Sequence, residues 1–388
     1  MSLWETIKDV LRSIFKTNYS PVTGGILIAL LVICIELYYR PWGIVGGLRN
    51  WGEWILYGIG FLDEAPPHPL WFSSSIFDIG FIWGAFISAA LANEFGIRIP
   101  PKLEIIKAIV AGILMGIGSG LAQGCNIGGF YMAIANLSAG GIAMMIGLII
   151  GVFIGVKYLL WELEHFSASG GVEISTKKIN FPLGLIALIL LFLSAYAYFG
   201  SEHELGAKLG GSLLLTAGLG FVFHRTRFCI VNSLREPFLS GEAHLARGVA
   251  VSILLATLGV MFIKMAGIRE PMAYVTPTFI WGSLIGGIIF GAAMVVAGGC
   301  GSGSLFRVGE GQVKLMIVVF FFALTNAIFR YYLDEVWQVW DKGILGKAVY
   351  LPDYFGYGGT FLLIAFIIAF WYIIVDWNER TEKFVIGF

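Results

Sequence analysis

Residues 108–156 have the sequence AIVAGILMGIGSGLAQGCNIGGFYMAIANLSAGGIAMMIGLIIGVFIGV, in which no Asp, Glu, Lys, Arg or His occurs. One helix of these 49 residues would far exceed a bilayer core of roughly 30 Å, because each helical residue rises about 1.5 Å. Two membrane crossings must therefore be joined by the uncharged connector 123–141. A loop in water normally carries charge, so we expect the connector to fold back into the protein as a short or re-entrant helix.

The composition of the whole chain is that of a membrane protein. Of the 388 residues, 58% are hydrophobic and 13% are charged, whereas soluble domains carry roughly 25% charged residues. We therefore expect an all-α fold, a polytopic transmembrane bundle of about ten spans, with lipid around it. Basic and acidic residues balance, 25 against 25, and no basic stripe occurs, so we expect no nucleic-acid partner.

The apolar stretches define the predicted organisation. Ten candidate spans lie near 21–38, 75–93, 104–124, 139–157, 182–200, 207–224, 247–266, 278–299, 312–330 and 358–375. We predict an N-terminal transmembrane half over 21–200 and a C-terminal half over 201–388. Residues 1–20 are predicted to form an amphipathic interfacial helix, with one apolar face made by Trp4, Ile7, Leu11 and Phe15.

The basic residues predict an orientation. Lys and Arg concentrate in 1–20, 94–107, 157–181, 224–247 and the C-terminal tail. Ten crossings place all these segments on one side, and the positive-inside rule makes that side cytoplasmic. We therefore expect a multi-pass protein of the inner (plasma) membrane with both termini in the cytoplasm.

A sequence repeat relates two of the spans. A shift of 175 residues places IVAGILMGIGSGLAQGCNIGG (109–129) on LIGGIIFGAAMVVAGGCGSGS (284–304). The shift pairs Cys125 with Cys300 and also pairs five small residues, among them Gly112 with Gly287 and Gly116 with Gly291. The two spans are the third and the eighth, an odd number of places apart, so they run in opposite directions, as in the inverted repeats of secondary transporters. We expect these four glycines to serve close helix packing.

Three cysteines lie in distinctive local sequences: Cys125 in AQGCNIGGFY, Cys229 in HRTRFCIVNSLREP and Cys300 in AGGCGSGSLFR. A helix broken there leaves free backbone N–H groups, and the start of the next half-helix favours an anion. A thiol adds a soft, weakly donating group, which suits a substrate with a sulfur or selenium atom. Cys34, in LLVICIELYY, has no glycine neighbours and is predicted to be a small packing residue.

The segments GCNIGGF, RTRFCIVNSLR and AGGCGSGSLFR resemble the three cysteine signatures of the YeeE/YedE family of sulfur-compound permeases, and their order is similar to that of the YedE branch. The resemblance implies a compact bundle with internal pseudo-symmetry. It also implies thiosulfate uptake along a narrow path lined by the thiols of Cys125, Cys229 and Cys300. The YedE branch is linked with selenium metabolism. Family analogy further suggests a small sulfur-carrier protein at the cytoplasmic face.

Thiosulfate chemistry suggests supporting residues. Its sulfonate end requires hard donors, which backbone N–H groups and the side chains of Asn126, Asn232, Ser302 and Ser304 could supply, while Gly124 and Gly299 precede two of the cysteines. Its terminal sulfur would accept weak S–H hydrogen bonds, each about a kcal/mol or less. Arg225, Arg227 and Arg235 either attract the anion or anchor the cytoplasmic side, and Arg307 either contacts substrate or pairs with Glu310.

Other classes of function remain open. A membrane thiol redox protein would need two cysteines close enough to bond. A soft-metal transporter would cluster cysteine with Met115, Met132 or Met294, and a structural scaffold would need no symmetric Gly-Cys breaks. Separate thiols along one axis favour the permease, a close pair favours redox chemistry, and a tetrahedral cluster favours a metal. We expect no enzymatic activity and no cofactor, since no haem, dinucleotide or P-loop motif occurs.

Overall fold

The computed structural model describes residues 5–6, 9–10, 16–166 and 170–386. The apolar residues of the predicted interfacial helix, Trp4, Ile7, Leu11 and Phe15, lie outside the described residues. From residue 21 onward the described residues form fourteen α-helices, which we number in chain order. They are α1 Pro21–Tyr38, α2 Val45–Gly58, α3 Ser73–Leu91, α4 Lys102–Ala122, α5 Ala133–Ala135, α6 Ala139–His165, α7 Asn180–Phe199, α8 Gly206–Thr226, α9 Ile230–Leu239, α10 His244–Met265, α11 Trp281–Ala297, α12 Gly301–Gly309, α13 Val313–Tyr331 and α14 Pro352–Thr381.

Shorter elements complete the fold. A π-helical segment, Asn126–Met132, continues into α5, and a second, Tyr332–Val336, follows α13. A 3₁₀ turn, Pro69–Trp71, precedes α3. Two short strands, β1 Gly96–Ile99 and β2 Val172–Ser175, pair antiparallel. The predicted all-α class is confirmed, with this small two-stranded sheet as an addition at one face.

The described residues contain ten helical stretches long and apolar enough to cross a membrane, which confirms the predicted number. They are Pro21–Tyr38, Ser73–Leu91, Lys102–Ala135, Ala139–His165, Asn180–Phe199, Gly206–Leu239, His244–Met265, Trp281–Gly309, Val313–Val336 and Pro352–Thr381. Three of these stretches combine a full helix with the half-helix that follows it.

The connecting segments gather on two faces. Segments 94–107, 157–181, 224–247 and 310–314 contact one another, for example through β1 and β2 and through the ion pair of Arg225 with Glu94. We call this the basic face. Contacts at the other end of the bundle, such as Arg49 with Asp334 and Arg269 with the carbonyl of Glu36, define the opposite face. The assignment of the basic face to the cytoplasm stays a prediction.

The helices α4 and α11 lie side by side at the centre and run antiparallel. Gly118 lies beside Gly286 and Phe290, whereas Leu121 lies beside Gly282, so residue numbers rise along one helix as they fall along the other. This arrangement is the one that the inverted repeat predicts.

Matching helix pairs surround the centre. Helix α4 packs on α13 as α11 packs on α6, and α1 packs on α10 as α8 packs on α3. A Cβ on Gly112 or Gly116 would collide with α13, and one on Gly287 or Gly291 would collide with α6, so the predicted packing role is confirmed. These pairs are what a repeat of α1–α6 onto α8–α13 produces, and our proposed division at residue 200 rests on them.

Candidate functional site

Three helices of the bundle end in the same way. The residues Gln123, Arg227 and Gly298 adopt left-handed backbone conformations with φ of 52°, 50° and 79°, which ends α4, α8 and α11. In each case a cysteine follows two residues later and begins a half-helix. Cys125 begins the segment 126–135, Cys229 begins α9, and Cys300 begins α12.

The three cysteines are N-cap residues of these half-helices. Each has an extended backbone, and its carbonyl accepts the first helical hydrogen bond, from Gly129 (2.6 Å), Ser233 (3.1 Å) or Ser304 (2.7 Å) respectively. The expected fold-back of the connector after α4 is confirmed, since the segment 126–135 returns to the opposite face. Helices α9 and α12 return to the basic face.

The thiols meet around the first turn of α12. The sulfur of Cys229 lies 3.8 Å from that of Cys300. A Cβ on Gly303 would lie 2.9 Å from the Cys229 sulfur and 3.1 Å from the Cys300 sulfur, and one on Gly301 would lie 2.9 Å from the Cys125 sulfur. All three cysteines are fully buried. Glycine at 301 and 303 therefore allows three sulfhydryls to approach one stretch of backbone.

Two of the sulfurs also accept backbone hydrogen bonds. The Cys125 sulfur accepts from the N–H of Ile127 at 3.4 Å, and the Cys300 sulfur accepts from the N–H of Gly303 at 3.3 Å. Because the sulfur accepts these bonds with its lone pairs, the S–H proton remains available to donate. The positive ends of three half-helices also converge on the cluster, which favours an anion.

Polar groups around the cluster retain unused hydrogen-bonding capacity. The side-chain oxygen of Asn126 accepts from the N–H of Gly301 at 3.3 Å, and the Ser302 hydroxyl lies 3.5 Å from the Cys300 sulfur. The buried atoms Nδ2 of Asn126, Oδ1 of Asn232 and Oγ of Ser304 have no partner among the described residues.

Gly124 and Gly299, which precede two of the cysteines, allow each half-helix to pack closely against the turn that ends the helix before it. A Cβ on Gly124 would lie 2.5 Å from the backbone nitrogen of Gly129, and one on Gly299 would lie 3.0 Å from the Ser304 hydroxyl. A side chain at either position would therefore push the half-helix away from the preceding turn.

The predicted arginines are engaged with protein groups. Arg307 donates to the carbonyl of Gly298 and so holds the break after α11, in place of the ion pair with Glu310 that the sequence suggested. Arg227 is 52% exposed at its side chain and pairs with Glu310 and, at 3.4 Å, with Glu94. Arg235 pairs with its neighbour Glu236 at 2.5 Å.

An ion network closes the basic face beside this site. The fully buried Arg225 binds Glu94, and Nε2 of His224 lies 3.2 Å from a carboxylate oxygen of Glu310. Burial raises the pKa of Glu310, but the hydrogen bond of His224 and the charge of Arg227 outweigh it and hold that pKa below its usual value. Sequence reasoning missed Glu94 and considered Glu310 only as a partner of Arg307, although both lie just beyond the end of an apolar helix.

A cavity of about 350 Å³ lies on the opposite face, and we call it the vestibule. Its polar lining includes Arg40, Gln123, Tyr274 and Thr276, and it reaches Gly128, three residues from Cys125. Sequence reasoning missed the vestibule because its walls come from four separate segments of the chain.

Tyr274 lies between two segments of the vestibule wall, one at Trp42 and one at Gly128. Its hydroxyl donates to the carbonyl of Trp42 at 3.2 Å and would lie 3.1 Å from a Cβ on Gly128. Lys264 fixes the loop that carries Tyr274, because its ammonium donates to the carbonyls of Asn136, Pro271 and Ala273 at 2.9–3.0 Å. Burial raises the pKa of Tyr274, so its phenol stays a donor at neutral pH.

Cys34 is separate from this cluster. Its side chain is exposed on α1, on the outside of the bundle, rather than packed as the sequence suggested. Among the described residues no group of three or more His, Cys, Asp or Glu side chains could hold a metal ion. The arrangement is thus a buried set of weak S–H donors, backbone N–H groups and amide or hydroxyl side chains.

Comparisons with known proteins agree with these features. Residues 5–154 and 225–385 match the model of a family described as "Sulphur transport". The chain is 26% identical to "Probable transporter YedE" of Salmonella typhimurium over 87% of each chain, and 24% identical to that of Escherichia coli over 98% of this chain and 94% of the relative. It is 34% identical to "Thiosulfate transporter TsuA" of Escherichia coli over 30% of this chain and 33% of the relative. The chain therefore belongs to the Sulphur transport family, as a polytopic helical membrane protein.

Proposed function

We propose that this protein is an inner-membrane permease that imports a small thiosulfate-like anion of sulfur or selenium along a path lined by Cys125, Cys229 and Cys300. The observation that carries the proposal is the convergence of three cysteine-capped half-helices on the first turn of α12. Membership of the family and the relatives named as thiosulfate transporters support sulfur-anion transport.

The two ends of thiosulfate require different partners, and the site offers both. Backbone N–H groups, together with Asn126, Ser302 and Ser304, suit the sulfonate oxygens. The thiols suit the terminal sulfur, because S–H groups are weak donors to a soft acceptor. Each such hydrogen bond is worth about a kcal/mol or less, so the anion can pass from one thiol to the next without being trapped.

The proposed direction of transport is from the opposite face to the basic face. The vestibule offers Arg40 to an arriving anion, and the ion network around Glu310 closes the other end. We propose that the basic face with both termini is cytoplasmic, where a small sulfur-carrier protein could receive the product. A reporter domain fused to the C-terminus, active only in the cytoplasm, tests the orientation.

A thiol redox protein remains a second candidate, because the 3.8 Å separation of the Cys229 and Cys300 sulfurs is the close pair that it requires. A redox role predicts that a Cys229–Cys300 disulfide forms and is reduced during turnover. The permease predicts that both thiols stay reduced while substrate passes.

The deciding experiment is uptake of radiolabelled thiosulfate into proteoliposomes that contain the purified protein. We expect saturable uptake, with competition by unlabelled thiosulfate and little by sulfate, which has no terminal sulfur. Selenium-containing anions added as competitors define the substrate range. Labelled thiosulfate that enters these vesicles no faster than protein-free ones would contradict the proposed function.

A further inference from the structure

Asp78 differs from the other buried carboxylates of the described chain. It lies on α3 with no exposed surface, and among the described residues no side chain binds either of its carboxylate oxygens, although the backbone N–H of Leu48 in the first turn of α2 acts on the carboxylate. By contrast, Glu36 contacts Asn136, Glu162 binds Lys107, and Glu310 binds Arg227. An unpaired charge inside a membrane bundle is costly, and ionisable groups in such positions usually have a function.

The surroundings of Asp78 connect it to the vestibule. Its carboxylate faces the first turn of α2, where a Cβ on Gly47 would lie 2.9 Å from the carboxylate carbon. The preceding residue, Gly46, lines the vestibule, as does Ser74, one helical turn before Asp78. The carboxylate thus lies directly behind the part of the vestibule wall that Gly46 and Ser74 form.

We propose that Asp78 is a proton-binding site that couples uptake of the substrate anion to uptake of a proton. This inference rests on the proposed function. A dianion that passes an ionised Asp78 is repelled by a like charge in a region of low dielectric. Protonation removes that repulsion, so a bound proton favours the anion and a bound anion favours the proton, by the same factor.

Few other groups compete for this role. The ionisable groups of the elements around Asp78 are engaged elsewhere or are weak acids. Arg40 binds Ser73 and Ser74, Arg49 pairs with Glu53, Lys208 lies over the ring of Tyr39, His224 contacts Ser88, Arg225 pairs with Glu94, Tyr198 donates to Leu70, and Arg307 binds Gly298. Tyr274 and Cys125 are the weak acids on neighbouring segments.

The test compares two transport modes in proteoliposomes with the membrane potential held at zero by potassium and valinomycin. In the first, labelled thiosulfate exchanges with internal thiosulfate at equal pH. In the second, an outside medium more acidic than the inside drives net accumulation. We expect the gradient to raise accumulation by wild-type protein about fivefold or more, a typical size of coupling between two sites.

Asp78→Asn mimics the protonated carboxyl and should keep exchange while losing the response to the gradient. Glu36→Gln is the matched control, since Glu36 is equally buried but has partners, and it should respond as wild type does. A wild-type protein that shows no exchange refutes the proposed function itself. Exchange without a gradient response, or a wild-type response from Asp78→Asn, overturns the coupling alone.

A second measurement needs no variant. A pH-sensitive dye inside vesicles that contain wild-type protein should report acidification when thiosulfate is added outside. Thiosulfate uptake without acidification, or uptake that depends on sodium but not on pH, would show that no proton travels with the anion.

Discussion

The sulfur of Cys229 lies 3.8 Å from the sulfur of Cys300, although 71 positions separate the two residues in the chain. Each cysteine begins a half-helix that runs to the basic face. Both sulfurs also lie close to Gly303, so a single point on the backbone of α12 organises the pair. This close pair lies on the path that we propose for the substrate.

A mild oxidant should therefore block transport through this pair. We expect diamide to join Cys229 and Cys300, to abolish thiosulfate uptake, and to do so reversibly, since dithiothreitol restores the thiols. Mass spectrometry of digested protein identifies the disulfide. Cys229→Ala should make uptake insensitive to diamide, whereas Cys34→Ala should stay sensitive. A disulfide that appears during normal turnover without oxidant would instead support the redox function.

The relay of thiols predicts a cost for each cysteine. We expect Cys125→Ala, Cys229→Ala and Cys300→Ala each to reduce uptake about fivefold or more. Each variant loses one weak S–H donor, and the two thiols that remain cannot bind the anion over the part of the path where the third is missing. Cys34→Ala serves as the control, since Cys34 is exposed away from the cluster. Initial rates of labelled thiosulfate uptake give the comparison. Wild-type rates from all three variants would refute the relay.

The glycines of α12 predict a steric effect on the same path. Gly301→Ala and Gly303→Ala each place a methyl group about 2.9 Å from a cysteine sulfur, so we expect uptake to fall sharply while the protein remains folded. Gly358→Ala is the control, because nothing lies within 4 Å of its added methyl group. Size-exclusion profiles in detergent report folding. Unchanged uptake in both α12 variants would mean that the path does not pass this turn.

The position of Tyr274 predicts that its side chain limits access from the vestibule to Cys125. We expect Tyr274→Ala to increase labelling of Cys125 by a small, charged thiol reagent added to the opposite face. Tyr274→Phe keeps the ring but loses the hydrogen bond to Trp42, and it should label to an intermediate extent. The labelling rate of a variant that lacks the other three cysteines gives a direct measurement. Equal rates for all three side chains would contradict a closing role.

The ion network predicts a pH dependence of stability. The pKa of Glu310 is held below its ordinary value of 4.5, so its ionised form stabilises the fold above that value. This contribution is lost as pH falls through the lowered pKa. We expect Glu310→Gln to lower the Tm by a few degrees at neutral pH, and the difference from wild type to shrink in acid. A difference that grows as pH falls would contradict this assignment.

Much of the architecture could be predicted locally. Stretches of about 20 apolar residues predict spans because the bilayer has a fixed thickness. The uncharged connector after Ala122 predicts re-entry for the same reason. The repeat at 175 residues predicts antiparallel α4 and α11, because they belong to the third and the eighth spans and every crossing reverses the direction of the chain.

For the candidate site, the sequence predicts some features, and only the structure shows others. Gly-Cys and Arg-Phe-Cys segments indicate where half-helices begin, and the resemblance to the family assigned the three cysteines to one path. The close pair of Cys229 with Cys300 had no sequence signal. The same holds for Arg225 with Glu94, which lie 131 positions apart.

The sequence by itself determined that this is a duplicated membrane bundle with cysteines at its helix breaks, because hydrophobic length, charge and glycine spacing are properties of the chain. Only the tertiary structure decided which thiols meet, that no described side chain binds Asp78, and that Tyr274 lies at the vestibule. The physical reason is that these contacts depend on how each helix is rotated and how deep it lies against its neighbours. Packing between distant segments sets both, and no local pattern encodes them.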